Sequence, residues 1–328
     1  MAQITVKARN KYAIMLSICF ILLFIYYQKR SPPSSKLGKR SKYVEKTYEE
    51  RHHYDTRNFD FMILIKSAPE HIKERTLLRK RSWLSHEWKD EKGHDIAWRH
   101  FFVVGRSMDP SADVAKMRAE EDKFGDLLVA PYLDEHTRQT YKVMWAFRHI
   151  LDNFTFKFLF VIDEDVIVNV QDLYLYMMEL KLSKGTTMFY GGSLCTERIP
   201  ERSGVFAVSL EAWPRDIYPT FCDGSALLYS HGTIVELVRT WDHDRQPVVP
   251  MDDIHIGVLI FLSGKIGITE IPGFSQGCQK LRRDSFVIQH IQPLETGVEI
   301  IERYLKEGFY CHETRFPHAR VAFMKLSN

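Results

Sequence analysis

The sequence predicts an α/β fold built on a mostly parallel sheet, and three observations support this. Residues 59–66 (FDFMILIK) and 156–162 (FKFLFVI) are almost uniformly apolar, a pattern typical of strands that are buried on both faces. Segments with helical periodicity separate such strands, as the crossover between parallel strands requires. The second strand ends directly in Asp163, Glu164 and Asp165, and ligands bind beyond the carboxyl ends of strands in these sheets.

The elements follow one another in a regular order through the first half of the chain. After the strand at 59–66, the pattern predicts a basic helix at 69–83, a strand at 100–104, helices at 111–124 and 137–153, the strand at 156–162 and a helix at 170–182. The second half is more mixed, with strand-like residues 205–208, loop and strand at 218–229, a helix at 251–263 and short strands at 266–271 and 286–289. We expect one domain from residue 58 to residue 328.

Composition excludes several classes of protein. The chain has 328 residues, of which 45% are hydrophobic, enough for one large core or two small ones. Its 17 glycines and 13 prolines are close to the average for globular proteins, which argues against collagen-like and disordered chains. The net charge of +3 comes largely from a basic stretch at 29–51, and the rest of the sequence has no basic stripe interleaved with aromatic residues. Nucleic acid is therefore not an expected partner.

An apolar segment near the N-terminus predicts a single membrane span. Residues 12–27 (YAIMLSICFILLFIYY) contain no charged side chain, although the run is shorter than the roughly 20 residues of a typical span. Flanking lysines and arginines can snorkel, and a thin membrane accommodates a short span. No small-residue cleavage site follows, which favours an uncleaved anchor over a signal peptide; a buried core helix is the other alternative. We expect 1–11 to form a short cytoplasmic tail and the polar residues 28–57 to form a stem.

The acidic triplet after the strand at 156–162 is the first candidate for chemistry. Residues two apart in an extended backbone face the same side, so Asp163 and Asp165 can converge on one hard cation while Glu164 turns away or toward a ribose. Three acids beside so much apolar sequence are costly to bury unless a cation or hydrogen-bond donors neutralise them. The alternatives are a turn with solvated acids and a helix N-cap.

Seven stretches match one known family in the same order along the chain. They are RTLLRKRSW, FFVVG, EEDKFGDLL, DEHTRQTYK, VIDEDVIVN, VSLEAWPRDIYPTFCDG and MDDIHIG, and they fall between residues 59 and 293. The chain thereby resembles glycosyltransferase family 31, which comprises β-1,3-galactosyltransferases and β-1,3-N-acetylglucosaminyltransferases. The resemblance implies a GT-A-type nucleotide-sugar-binding domain, a UDP-sugar donor, Mn²⁺ (manganese) as cofactor, and inversion at the anomeric carbon to give a β-1,3 bond on the glycan of a glycoprotein or glycolipid.

The resemblance also implies roles for individual residues around the metal and the nucleotide. Asp163 and Asp165 would lie at the metal and the nucleotide, with Asp165 as the direct ligand and Glu164 beside the nucleotide. His290, in the stretch FVIQHIQP, matches a family histidine that can complete the metal site. A histidine in such a position is otherwise most often a hydrogen-bonded core residue, and that alternative stays open.

Two further assignments concern the acceptor and the phosphates. Asp253, the second acid of MDDIHIG, would be the general base, although an acid pair at a helix start also favours the helix dipole. Arg75 and Arg79 would lie near the nucleotide phosphates, because guanidinium groups match diphosphate oxygens. Their spacing of four residues on a basic helix is equally typical of a solvated face.

Departures from the family pattern leave a second function open. Val161 stands where the family commonly has lysine, His136 replaces a tyrosine, and Ser225 and Ala226 follow Gly224 where more glycine is usual. A catalytically inactive relative that acts as a glycan-binding or chaperone subunit is therefore the alternative to an active hexosyltransferase. A membrane-tethered phosphohydrolase would need additional spaced clusters of histidine and aspartate, which the sequence does not offer.

Two kinds of sequence signal disagree about the side of the membrane on which residues 58–328, the body of the protein, lie. Positive charge is denser after the apolar segment than before it, which by the positive-inside rule would place the body in the cytosol. The glycosylation sequon Asn153-Phe154-Thr155 and the family match favour the lumen instead. We therefore expect a single-pass type II protein of the Golgi membrane with at least one disulfide, whose pairing stays open, among Cys195, Cys222, Cys278 and Cys311.

Overall fold

Strands and helices alternate through most of the described chain. The computed structural model describes residues 58–107, 110–184, 188–244, 246–276, 285–307 and 320–321. Its strands are β1 (Asn58–Lys66), β2 (Trp98–Arg106), β3 (Leu127–Leu133), β4 (Thr155–Asp163), β5 (Ile167–Val168), β6 (Phe189–Cys195), β7 (Phe221–Ser230), β8 (Gly267–Glu270), β9 (Phe274–Gln276), β10 (Val287–Gln289), β11 (Ile291–Gln292) and β12 (Arg320–Val321). Its α-helices are α1 (Ile72–Arg81), α2 (Pro110–Phe124), α3 (Gln139–Asn153), α4 (Val170–Lys184), α5 (His231–His243), α6 (Asp252–Ser263) and α7 (Leu294–Glu307). Short 3-10 helices occupy Trp83–Ser85 and His136–Arg138.

A seven-stranded sheet forms the centre of the fold, in the order β3-β2-β1-β4-β7-β6-β8. β3, β2, β1 and β4 are parallel to their neighbours, whereas β7 runs antiparallel to both β4 and β6. Two smaller sheets, β5-β10-β9 and β11-β12, accompany it. The prediction of a mixed α/β fold with a mostly parallel sheet is confirmed, with β7 as the strand that reverses direction.

The apolar runs form central strands because both of their faces are covered. Side chains from Phe61 to Ile65 in β1 are at most 1% exposed, and those from Phe158 to Ile162 in β4 are almost equally buried. α3 packs on the sheet through Val143, Phe147 and Ile150, whose spacing places them on one face of the helix. Burial on both faces removes the alternation of polar and apolar residues, which explains the uniform sequence of β1 and β4.

The sequence predicted the first half of the fold better than the second. The predicted strands and helices there occur with small shifts, the largest being α1, which starts at Ile72 rather than residue 69. β3, β6, α5 and α7 were not predicted. The prediction of strand structure at 205–208 is wrong: Gly204 has a φ of +90°, the chain turns there, and Val205 is exposed while Val208 packs on Trp213. Because the backbone turns at Gly204, residues 205–208 do not continue as an extended strand paired in a sheet.

Four chain segments meet at one edge of the sheet because of this topology. β1 and β4 are parallel neighbours, so their last residues, Lys66 and Asp163, stand opposite each other. β7 runs the other way, so its first residues, including Gly224, come to the same edge. α6 starts there with Asp252 and Asp253. Strand direction therefore brings charged residues that are far apart in sequence close together in space.

The predicted tail, anchor and stem (1–57) lie outside the described residues. Within the part of the chain that the structure does describe, no helix is both long enough and apolar enough to cross a membrane.

Candidate active site

A pocket of about 880 Å³ opens at this edge of the sheet. Both acidic and basic residues line it: the carboxylates of Asp163, Glu164, Asp165 and Asp252 occur together with Lys66 and other polar residues, among them His71, Lys73, Asp134, His136, Gln139, Lys142 and Gln292. This volume lies within the range of small-molecule sites. The acidic triplet predicted from the sequence therefore does line a pocket.

Lys66 lies at the centre of the acidic residues. Its ammonium is 3.1 Å from Oδ1 of Asp163 and 3.3 Å from Oδ2 of Asp252, and it donates to the carbonyl oxygen of Gly224 at 2.9 Å. Burial opposes the charged form of Lys66, but the carboxylates of Asp163, Asp252 and Asp253 outweigh it and raise the pKa of the lysine. Lys66 is therefore a fixed positive charge in the lining of the pocket.

The two acids at the start of α6 point in different directions. Asp252 is buried and turns to Lys66, whereas Oδ2 of Asp253 accepts a hydrogen bond of 3.2 Å from the amide of Gly224. A Cβ at Gly224 would lie 3.0 Å from Cβ of Asp253 and 3.1 Å from its Oδ2, so any larger residue there would press on this carboxylate. Burial, together with the charge of Asp252, raises the pKa of Asp253 to about 7.

Asp165 and His290 form the part of the site that is suited to a cation. Oδ2 of Asp165 accepts from Nε2 of Gln292 at 3.1 Å and lies 3.9 Å from Nδ1 of His290, while its buried Oδ1 has no partner among the described residues. His290 has a φ of +58°, an uncommon conformation that turns the chain between β10 and β11. The Asp165 carboxylate raises the pKa of His290 above its usual range.

These two side chains fit the metal that the family resemblance implies. A carboxylate oxygen without a partner and an adjacent imidazole are ligands of the kind that Mn²⁺ accepts. Asp163 is not brought into this pair, because Lys66 holds its Oδ1. Across the described ranges, no three His, Cys, Asp or Glu side chains converge in the arrangement of a metal site, so a cation here would need oxygen ligands from a bound molecule or water.

Glu164 points toward α1 rather than toward Asp165. Its two oxygens contact the hydroxyl of Ser67, at 2.8 Å, and Nδ1 of His71. Burial raises the pKa of Glu164, and these two partners oppose the shift. These contacts turn Glu164 away from Asp163 and Asp165, in agreement with the prediction for the middle acid. Glu164, Ser67 and His71 all line the pocket.

Arg75 and Arg79 are not at the pocket. Arg75 is fully buried, and its Nε and Nη2 donate to the two carboxylate oxygens of Glu120 at 2.8 Å. Arg79 donates to Glu120 and, through two nitrogens at 2.8 and 2.7 Å, to Asp126. The placement of both arginines near the phosphates is therefore corrected: carboxylates from α2 and the loop after it occupy their guanidinium groups.

The sequence reasoning missed Lys66 and Asp223. Asp223 follows Cys222 in β7; its Oδ1 accepts from the amide of Ser225 at 3.0 Å and lies 4.0 Å from Nε2 of His290. Lys66 could have been found, because the rule that drew attention to the end of β4 applies equally to the end of β1. Asp223 could not, since the direction of β7 was not predicted.

Cys195 and Cys222 are both unbonded in the structure, and burial raises the pKa of each thiol. They lie on paired strands, where Cys195 stands opposite Phe221 and Cys222 opposite Leu194. Cys278 and Cys311 lie outside the described residues, so the expectation of a disulfide stays a prediction.

Comparison with known proteins identifies relatives over most of the described body. The chain is 25% identical over 201 residues to hydroxyproline O-galactosyltransferase GALT6 of Arabidopsis thaliana, covering 61% of this chain and 28% of that protein. It is 24% identical over 227 residues to UDP-GalNAc:beta-1,3-N-acetylgalactosaminyltransferase 1 of Rattus norvegicus, covering 66% of this chain and 64% of the relative. The chain thus spans less than two thirds of the length of these relatives.

A solved structure and a family model complete the comparison. The mannosyltransferase PcManGT of Pyrobaculum calidifontis, in complex with GDP-Man and Mn²⁺, aligns over 70% of this chain and 60% of its own, with a TM-score of 0.35 and 14% identity. The model of the Galactosyltransferase family matches residues 73–271, which is more than half of the chain and includes the acidic triplet, Asp223 and both acids at the start of α6. The chain is therefore a member of the Galactosyltransferase family, a family of glycosyltransferases.

Proposed function

We propose that this protein is an active, inverting hexosyltransferase of the GT-A type, which moves a sugar from a UDP-sugar to a glycan hydroxyl and forms a β-1,3 bond. The observation that carries the proposal is the separation of two acidic groups at one edge of the sheet. Asp165 lies beside His290 with an oxygen free for a ligand, and Asp253 lies on the amide of Gly224. Two acidic groups with different partners suit a reaction that needs different chemistry on the two sides of the sugar.

The donor side of this reaction belongs to the pocket. Asp165 and His290 would hold Mn²⁺, which when bound supplies Lewis acidity that neutralises charge on the leaving diphosphate. Glu164, with Ser67 and His71 beside it, offers carboxylate oxygens to a ribose. The pocket of about 880 Å³ is large enough for a nucleotide sugar, and Gln292 orients Asp165 by donating to its second oxygen.

The acceptor side depends on Asp253. As the acceptor oxygen forms its bond to the anomeric carbon, the bond to the diphosphate oxygen breaks, and the hydroxyl proton passes to the carboxylate of Asp253. A pKa of about 7 suits a general base near neutral pH, where the group is partly ionised and binds the proton well. The names of the relatives, which include β-1,3-transferases that use UDP-GalNAc, support the linkage and the donor class.

The proposal is tested by transfer assays with the purified full-length chain. UDP-galactose, UDP-N-acetylgalactosamine and UDP-N-acetylglucosamine are offered with Mn²⁺, and hydrolysis and transfer are measured together with calorimetry of UDP binding. Asp165→Asn should abolish Mn²⁺-dependent UDP binding, because an amide is a poorer ligand for a hard cation than a carboxylate. Asp216→Asn, which changes an exposed acid in the loop between β6 and β7, is the matched control and should bind as the wild type does.

The outcomes separate the two candidate functions. Transfer of any sugar supports the proposal, and the preferred donor names the sugar. UDP binding without transfer or hydrolysis would favour the alternative of an inactive glycan-binding or chaperone subunit. That alternative is considered because Ser225 and Ala226 follow Gly224 where the family usually has more glycine. Absence of both UDP binding and transfer would refute the donor class altogether.

We further propose a type II topology in the Golgi membrane, with residues 58–328 in the lumen. The apolar run at 12–27 and the sequon at Asn153 support it. Protease added to intact microsomes should leave the body undigested, and digestion would place it in the cytosol.

A further inference from the structure

We propose that Lys66 is the positioning residue of this site: its ammonium spaces the carboxylates of Asp163 and Asp252 and thereby sets where Asp253 stands relative to Asp165. This inference rests on the function proposed above, in which Asp165 serves the donor side and Asp253 the acceptor side. Nothing in the family resemblance or in the relatives' names assigns a role to this lysine.

The ammonium has no hydrogen-bond donor left for a substrate. A protonated lysine carries three N–H donors, and Lys66 has three acceptors at contact distance: Oδ1 of Asp163, Oδ2 of Asp252 and the carbonyl oxygen of Gly224. The side chain is 12% exposed and is held in one place by these partners. Lys66 therefore acts through protein groups, which distinguishes it from a residue that binds the donor.

Two of the three contacts lead directly to Asp253. Gly224 accepts from Lys66 through its carbonyl group and donates to Oδ2 of Asp253 through its amide, so one residue joins the lysine to the proposed base. Asp252 is the neighbour of Asp253 at the first turn of α6, so holding Asp252 also fixes the start of that helix. The position of Asp253 is thus determined from both sides.

The third contact leads to the donor side. Asp163 ends β4 and stands opposite Lys66 in the parallel register of β1 and β4, two residues before Asp165. Without the ammonium, Asp163, Asp252 and Asp253 would be buried carboxylates with no cation between them, and repulsion would drive them apart. The distance between the proposed base and the proposed metal ligand is therefore set by a single positive charge.

The test compares Lys66→Met, Lys66→Arg and Lys157→Met in the full-length chain. Lys157 forms an exposed ion pair with Asp60 and is the matched control. We expect Lys66→Met to lower kcat by about 100-fold, the typical effect of a misplaced catalytic group, and to leave the donor KM and the Kd for UDP with Mn²⁺ within about threefold. Lys66→Arg keeps the charge and should recover part of the loss, whereas Lys157→Met should be unchanged.

Three outcomes would overturn the inference. The first is a kcat of Lys66→Met within about threefold of the wild type. The second is a large rise in donor KM with kcat unchanged, which would make Lys66 a substrate-binding residue. The third is an unchanged separation of Asp253 and Asp165 in crystal structures of the wild type and the variant. If Lys66→Met does not fold, Lys66→Gln retains hydrogen-bond donors without the charge and is judged by the same criteria. If the wild type transfers no sugar, the proposed function fails, and crystal structures of the wild type and the variant still decide: an unchanged separation of Asp253 and Asp165 refutes positioning.

Discussion

Two buried clusters of charged residues lie close together in this fold, and they differ in balance. The arginine cluster, formed by Arg75, Arg79, Glu120 and Asp126, has two cations for two carboxylates. The lysine cluster, formed by Lys66, Asp163, Asp252 and Asp253, has one cation for three carboxylates. No residue of the arginine cluster lines the pocket, whereas Lys66, Asp163 and Asp252 of the lysine cluster do. The difference teaches that an excess of buried charge, rather than charge itself, indicates a functional site.

The pKa values of the acids move in opposite directions in the two clusters. Burial alone would raise the pKa of Glu120 and Asp126, but hydrogen bonds from Arg75, Arg79 and His100 lower it below the usual range. In the lysine cluster burial prevails: the pKa of Asp163 is raised, and that of Asp253 reaches about 7. A paired carboxylate stays charged and holds the fold together, whereas an under-compensated one can accept a proton during a reaction.

The largest expected effect concerns the unbalanced cluster. Asp253→Asn should lower turnover by about 10²- to 10⁴-fold, because a positioned general base contributes that much to a proton transfer. The Kd for UDP with Mn²⁺ should stay nearly unchanged, since Asp253 is not among the residues that line the pocket. Steady-state kinetics and calorimetry on the same preparation measure the two effects separately.

Asp252→Asn is the comparison for that experiment, because it removes the same charge one residue earlier in α6. It should be milder, acting through the contact with Lys66. Near-normal transfer by Asp253→Asn together with a large loss in Asp252→Asn would move the base by one residue. Harmless substitutions at both positions would place the base elsewhere.

The balanced cluster should respond in stability rather than in chemistry. Glu120→Gln removes the carboxylate that pairs with Nε and Nη2 of Arg75, and it leaves a fully buried guanidinium without its counter-charge. Breaking a buried pair on one side typically costs about 3–5 kcal/mol in the free energy of unfolding. Urea denaturation measures the loss, and kcat of the folded fraction should remain that of the wild type.

An exposed ion pair supplies the control for this variant. Glu135 pairs with Arg138 at the surface, and Glu135→Gln should change the free energy of unfolding by less than about 1 kcal/mol. A Glu120→Gln protein that kept its stability but lost transfer would contradict the division into a structural and a functional cluster.

The smallest expected effect concerns a buried histidine that forms no ion pair with the described residues, although the charge of Asp244 partly opposes its pKa shift. His255, one turn along α6, is 1% exposed; its Nδ1 accepts from the amide of Val249 at 3.2 Å, and burial lowers its pKa to about 4. In the unfolded chain a histidine has a pKa near 6.5, so between these values the unfolded state binds more protons than the folded state. The free energy of unfolding therefore decreases as the pH falls below about 6.5, and His255 accounts for about 2 kcal/mol of this decrease at pH 5.

Thermal or urea unfolding at pH 7.5 and pH 5 measures this loss. His255→Asn keeps an oxygen that can accept from Val249 and has no group that titrates in this range, so its stability should fall about 2 kcal/mol less between the two pH values. An equal loss in the variant and the wild type would mean that His255 does not titrate as proposed.

The sequence by itself determined the elements whose signal is local. The uniform apolar runs of β1 and β4 specified buried strands, and the acids at the end of β4 specified where a ligand could lie. The seven ordered motifs identified the family, which the family model over residues 73–271 confirms. β6 escaped prediction because its ladder partners, β7 and β8, are distant in sequence, and a short strand is stabilised by those partners more than by its own residues.

Only the tertiary structure decided which charged residues work together. Arg75 and Arg79 carry the composition of a phosphate site, yet Glu120 and Asp126 occupy them, and no local pattern encodes a pairing across 41 to 47 residues. In the sequence, Lys66 is simply the polar last residue of a strand. The parallel register of β1 with β4 places it beside Asp163, and the reversed direction of β7 brings Gly224 to the same edge of the sheet, where Asp252 also lies. Hydrophobic periodicity fixes which residues are buried, whereas the electrostatic partners of a buried charge depend on strand order, which is a property of the whole fold.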